Sequence, residues 1–133
     1  MYKVDIFIRV NQRDPRVTYK EWSYCLEYKG RRLIDSGESH DSWNGANLQA
    51  ITEALSRLTQ SCDVTIHTED KWLCNMAANN LEKWAENDFR NYKGEQITHA
   101  EKWRLFLQKS RTNRILMLPV ELEDHEEIER RFT

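Results

Sequence analysis

The chain has 133 residues, with 20 Lys and Arg against 22 Asp and Glu, for a formal net charge of −2. That length suits one domain, and 39% apolar with 32% charged residues is a globular composition, not a disordered one. No apolar run approaches the ~18 residues of a membrane span, no secretory apolar region follows Met1, and the few glycines exclude the usual Gly-rich phosphate loops. Cys25, Cys62 and Cys74 form no CxxC pair and read as reduced thiols of a cytoplasmic protein, not as a disulfide frame or zinc site. The charge is uneven: residues 1–34 hold eight basic and four acidic residues, whereas Glu121 to Glu129 hold six acids and no Lys or Arg. An anion-binding face belongs on the N-terminal half, unless these charges are simply a solvated surface.

Met1 to Val10 alternates and is β-branched, which predicts a strand. Asn11 to Arg16, with Asp14-Pro15, predicts a loop. Trp22 to Tyr28 and Arg31 to Glu38 predict two strands joined by a Lys29-Gly30 turn. Ser39 to Gly45 is a polar connection ending in helix-start chemistry. Leu48, Ile51, Ala54, Leu55 and Leu58 recur at helical spacing, so residues 46–60 predict a helix. Asp63 to Thr68 predicts a strand. Glu69 to Asn87 is helical in two pieces around Ala78-Asn79-Asn80, and a loop follows at Asn91 to Gln96. Ala100 to Ser110 predicts a helix, Ile115 to Val120 a strand weakened by Pro119, and Asp124 to Phe132 a charged helix or tail. Strands joined by short turns pair antiparallel and strands reached through helices pair parallel, so the expectation is a five-stranded mixed α/β sheet.

Several segments stand in a telling serial order: Val4-Asp5-Ile6-Phe7-Ile8, then Tyr28-Lys29-Gly30-Arg31 with Ser36-Gly37 after it, then Ser42-Trp43-Asn44-Gly45-Ala46-Asn47-Leu48, then Cys62 to Asp70, then Leu81, Trp84, Phe89 and Lys102-Trp103. Together they resemble the type 1 ribonuclease H family. In that resemblance the first is the family's first strand and the second its hairpin turn. The third stands in place of its Thr-Asn-Asn-x-x-Glu-Leu, the fourth is the strand that ends in Thr-Asp-Ser, and the last match the helices beyond. The match covers about residues 1–110. It implies an RNase H-like fold with the first three strands antiparallel and helices on both faces. Residues 1–133 are then a single domain, with 121–133 a divergent acidic terminal helix or tail.

Such proteins cut the RNA strand of RNA–DNA hybrids with four carboxylates and two divalent ions, which activate water and stabilise the leaving oxygen. Hard Mg²⁺ or Mn²⁺ needs that oxygen-rich, anionic site. Here the family's catalytic positions are matched by Arg9, Asn47, Glu69 and, loosely, Glu129. The site charge goes from −4 to about −1. A guanidinium ~4 Å from a divalent ion costs about 8 kcal/mol at an effective dielectric of ~20, and Arg does not shed its proton. Arg9 is expected to fill the site by pairing with Glu69. No metal is expected; Glu69 and Asp70 are the ligands if there is one, although Asp70 should point elsewhere. Asp5, ~13 Å from Arg9 at strand rise, is no substitute. The family's glycine-rich stretch is replaced by Asn11 to Arg16. His40, His67, His99 and His125 are scattered without metal-ligand spacing.

The candidate nucleic-acid contacts are Asn44, Trp43, Trp84, Phe89, Arg13 and Arg16. Each has an ordinary structural role as its alternative: a turn or cap for Asn44, core packing for Trp84 and Phe89, solvated loop charge for the arginines. The leading expectation is therefore an RNase H-like domain that has lost metal-dependent cleavage and acts as a binding or scaffolding module. It would hold RNA–DNA hybrid or another nucleic acid weakly, and no membrane. Two alternatives stand beside it. One is an active hybrid ribonuclease with a rebuilt Mg²⁺ or Mn²⁺ site. The other is a protein-interaction domain that contacts a basic partner through residues 121–129.

Overall fold

A computed structural model describes residues 1–133. The elements are β1 (Tyr2–Val10), β2 (Thr18–Tyr28), β3 (Arg31–Asp41), α1 (Trp43–Leu55), β4 (Cys62–Thr68), α2 (Lys71–Asn79), α3 (Leu81–Glu86), α4 (Ala100–Thr112), β5 (Arg114–Pro119), a 3-10 turn (Leu122–Asp124) and α5 (His125–Arg130). They build one five-stranded sheet in the order β3-β2-β1-β4-β5. β3, β2 and β1 run antiparallel, and β4 and β5 join parallel, as the turn and crossover lengths require. The β2–β3 turn is the two-residue Lys29-Gly30, both at positive φ (48° and 77°), the geometry that matches strand twist.

Alternation sorts the strands between two cores. Val4, Ile6 and Ile8 of β1, Val64 and Ile66 of β4, and Trp22 and Tyr24 of β2 face one side. There they pack on Leu48, Ile51 and Leu55 of α1, Leu73 of α2 and Trp103 and Phe106 of α4. The opposite side is thinner: Phe7 and Cys25 receive Ile128, which is 1% exposed and anchors α5. Helices thus cover both faces of the sheet. No helix is long and apolar enough to cross a membrane.

The bounds of three elements differ from expectation. β2 starts at Thr18 rather than Trp22, and β3 continues to Asp41 through residues expected to be a connection. The ladder from Thr18↔Asp41 to Glu21↔Glu38 pairs backbone to backbone, which polar side chains do not prevent. It is reinforced where the Trp22 ring lies over Gly37, leaving no room for a Cβ, and where Trp22 Nε1 donates to Ser39 Oγ at 3.0 Å. α1 begins at Trp43, because Ser42 Oγ caps it by accepting from Gly45 N at 3.1 Å, and it ends at Leu55, not near 60.

Candidate functional site

The site forms where β1 and β4 end side by side, at a cleft of about 290 Å³ whose lining includes Arg13, Trp43, Asn47, Glu69 and His125. Strand alternation aims Arg9 and Glu69 to the α5 side of the sheet, one residue beyond the buried Ile8 and Thr68. α5 meets them there. Arg9 Nη1 donates to Glu129 Oε2 at 2.9 Å, and its guanidinium lies 4.2 Å from the Phe132 ring centroid. Glu69 takes Arg13 on Oε2 and His125 Nδ1 on Oε1, the latter at 2.8 Å. His125 Nε2 is 3.5 Å from Glu129 Oε1. A continuous row results: Arg13, Glu69, His125, Glu129, Arg9. The expected Arg9–Glu69 pair is not formed. Extending the parallel β1–β4 register (Phe7↔His67) by two residues places Glu69 level with Arg9, but Glu69 is engaged by Arg13 and His125, while α5 brings Glu129 to Arg9.

The loop that carries Arg13 is a built structure. Asn11 Oδ1 accepts from Glu21 N, Trp43 N donates to Asp14 O, and Asp14 holds both the backbone N and the guanidinium of Arg16. The Arg16 side chain and backbone thereby hold the Asp14 carboxyl below its ordinary value. Lys20 is fully buried beneath the loop, its ammonium donating to Arg16 O, Thr18 Oγ1 and Asp41 O at 3.1, 2.5 and 2.9 Å. Arg13 lies 5.0 Å from the Trp43 ring centroid, a cation–π contact that presents the partly exposed indole at the cleft.

The other candidates are placed by contacts within the protein. Asn47, 3% exposed, donates to Trp43 O at 3.0 Å and accepts from Thr68 Oγ1 at 3.3 Å, tying α1 to the end of β4. Asp70 points away from Glu69, as its sequence position requires. It caps α2 by accepting from Leu73 N, and Asn44 Nδ2 donates to its other oxygen at 2.7 Å. Burial, only partly offset by those donors, pushes the Asp70 carboxyl up from its ordinary value. Both of its oxygens, and the Asn44 amide, are thus engaged within the protein. Phe89 is 4% exposed under Arg104, so it does not offer a stacking face; Trp84 is half-buried, 5.3 Å from Trp103. Asp5 pairs with His67 at 2.8 Å, away from the cleft. Sequence reasoning passed over three residues. Trp72, 43% exposed, is the second residue of α2, and a large aromatic at an exposed helix start was its only signal. Lys71 holds Glu121 at 2.9 Å. Lys20 shares the inward period of Trp22 and Tyr24, a signal that would have marked it as buried had the strand been extended to it.

The RNase H family model matches residues 12–121. The chain belongs to the RNase H family. Its similarity to ribonuclease H of Campylobacter curvus is 27% identity over 95 residues, covering 71% of this chain and 64% of that protein. To ribonuclease H of Legionella pneumophila (strain Corby) it is 30% over 84 residues, covering 62% and 59%. The chain thus spans about three fifths of the length of these curated relatives. Among solved structures, LC9-RNase H1, described as a type 1 RNase H with the type 2 active-site motif, has TM-score 0.69 at 13% identity, covering 97% of this chain and 69% of that one. The foamy viral protease-reverse transcriptase in complex with RNA/DNA hybrid has TM-score 0.61 at 17% identity, covering 94% and 18%. These likenesses establish the RNase H-like fold.

A pair of divalent cations on four carboxylates does not fit the side chains of this RNase H-family chain. Two positions carry Arg9 and the buried amide of Asn47. The two acids present, Glu69 and Glu129, are each met on both oxygens by Arg or His. No group of three or more His, Cys, Asp or Glu side chains converges elsewhere in the chain.

Proposed function

We propose that residues 1–133 act as one RNase H-like domain that binds nucleic acid without cutting it, and that RNA–DNA hybrid is its ligand class. The observation that carries this reading is the pairing of Arg9 with Glu129 and of Arg13 with Glu69, which leaves the four matched positions near electrical neutrality. Metal-dependent cleavage needs a concentrated negative charge there. Binding needs only cations and an aromatic face; Arg13 and Trp43 line the cleft, Arg16 stands on the same loop as Arg13, and the exposed Trp72 lies in the first turn of α2. The similar foamy viral protein in complex with RNA/DNA hybrid supports the choice of ligand. Asn44, Trp84 and Phe89 act in this reading as supports of the fold, not as contacts. The three buried free cysteines suit a reducing, cytoplasmic setting.

Anisotropy titration of a labelled hybrid, with cleavage followed on a gel in Mg²⁺ and in Mn²⁺, tests both halves. Salt-sensitive binding with an intact RNA strand is expected. The curated relatives named ribonuclease H favour a second reading, an active enzyme on a rebuilt site. Metal-dependent cleavage that disappears in Glu69→Gln would establish it and overturn ours.

A further inference from the structure

We propose that the acidic segment 121–129 is an internal competitor for the nucleic-acid backbone, its carboxylates occupying cations that would otherwise hold phosphates. This rests on the binding reading above and adds its regulation.

Two cations beside the ends of β1 and β4 are taken by this segment. Arg9, near the C-terminal end of β1, is held by Glu129 at 2.9 Å. Lys71, at the start of α2, just beyond β4, is held by Glu121 at 2.9 Å. Between them His125 bridges Glu69 and Glu129. The segment carries six acids and no Lys or Arg, so it lays a line of negative charge along the edge where a strand of phosphates would run.

Its attachments are of two kinds. Ile128, 1% exposed against Phe7 and Cys25, is a firm anchor. The ion pairs are exposed: the side chains of Lys71 and Glu121 are 58% and 53% accessible, those of Arg9 and Glu129 35% and 39%. Pairs this wet are weak and exchange partners easily. A polyanion gains counterion release with each cation it captures. The carboxylates can therefore give way while α5 stays seated on Ile128, with no unfolding step.

The experiment compares two double variants of the full chain by anisotropy with a labelled RNA/DNA hybrid across a salt series. Glu121→Gln with Glu129→Gln unmasks Lys71 and Arg9. Glu123→Gln with Glu126→Gln makes the same charge change in the same segment, at residues outside these ion pairs. The first variant is expected to bind on the order of tenfold tighter at low salt. Its plot of log K against log salt should steepen by about 1.8, two phosphate contacts at about 0.9 each. The second should shift far less. Equal gains in both variants would mean general repulsion and overturn the competitor. Unchanged affinity in the first, with the wild type still binding, overturns it while leaving the binding reading intact. No binding by any form overturns both.

Discussion

Arg9 and Glu129, 120 residues apart in the chain, meet at 2.9 Å and join the first strand to the last helix. Both are about a third exposed, so the pair contributes at most ~1 kcal/mol to stability. Its larger effect is electrostatic. Arg9→Asp combined with Asn47→Glu makes the site three charges more negative. That variant is expected to bind Mn²⁺, read as a rise in Tm on adding MnCl₂, because an ion at a hundredfold excess over Kd stabilises by about 2.7 kcal/mol. Since Asn47 is buried, Arg9→Asp alone should show a smaller rise in the same direction. A wild-type rise as large as the variant's would contradict the site's neutrality.

The C-terminal helix depends on one apolar side chain. Ile128→Ala empties the contact with Phe7 and Cys25 and is expected to cost about 2–5 kcal/mol in urea unfolding. Because α5 is a short helix with no other buried residue, it should also lose amide-exchange protection ahead of the rest. Uniform loss of protection would mean that α5 is integral to the main core.

Gly37 is a second packing test. The Trp22 ring occupies the volume a Cβ would need, so Gly37→Ala must displace the indole and break its 3.0 Å bond to Ser39. A loss of about 1–3 kcal/mol with a red-shifted tryptophan emission is expected. An unchanged spectrum would mean that the strand moves instead of the ring.

How much of this was readable beforehand follows from the kind of interaction involved. Periodicity is local, so the strands, the helix break at Ala78-Asn79-Asn80 and the two-sided sheet were legible. The Arg9 and Asn47 substitutions were legible only through the resemblance of these segments to the family's motifs. The partners were not. Arg13 reaches Glu69 across 56 residues and Arg9 reaches Glu129 across 120, and only the folded packing of a loop and a terminal helix decides which cation meets which acid. The ends of β2 and β3 were missed for the same reason: cross-strand pairing overrode polar composition.

Acid should destabilise this protein in two stages. His99, at the start of α4, is held below its ordinary value of 6.5 by burial, against the attraction of Asp41. Between its folded value and 6.5 the unfolded chain binds more protons, so stability falls as pH falls through that window. For Asp41, burial acts upward but is outweighed by Lys102 Nζ, at 2.5 Å, and the Ser42 N–H, leaving it below 3.8. Its contribution is lost as pH falls further, through that lowered value. Asp70, raised by burial, acts in the opposite sense and blunts the loss just above 3.8. His99→Asn, which tolerates the positive φ of 62°, should abolish the first stage only. Tm measured as a function of pH checks this; a first stage that persists in the variant would point to another group.

Trp43→Ala and Trp72→Ala test the aromatic face of the binding reading. Each is expected to weaken hybrid binding by about 1–3 kcal/mol if bases stack on it, with the salt slope unchanged. A loss confined to a changed slope would show that the indoles only position Arg13.

Lys20 has a further use. Its ammonium is sealed under the 11–17 loop by three oxygen acceptors, so an amine-acylating reagent can reach it only while that loop stands open. Every other lysine in the chain is more accessible and should react first. The lag between their labelling and that of Lys20, followed by mass spectrometry, would report how often the segment carrying Arg13 lifts away from the sheet, with no mutation or dye required.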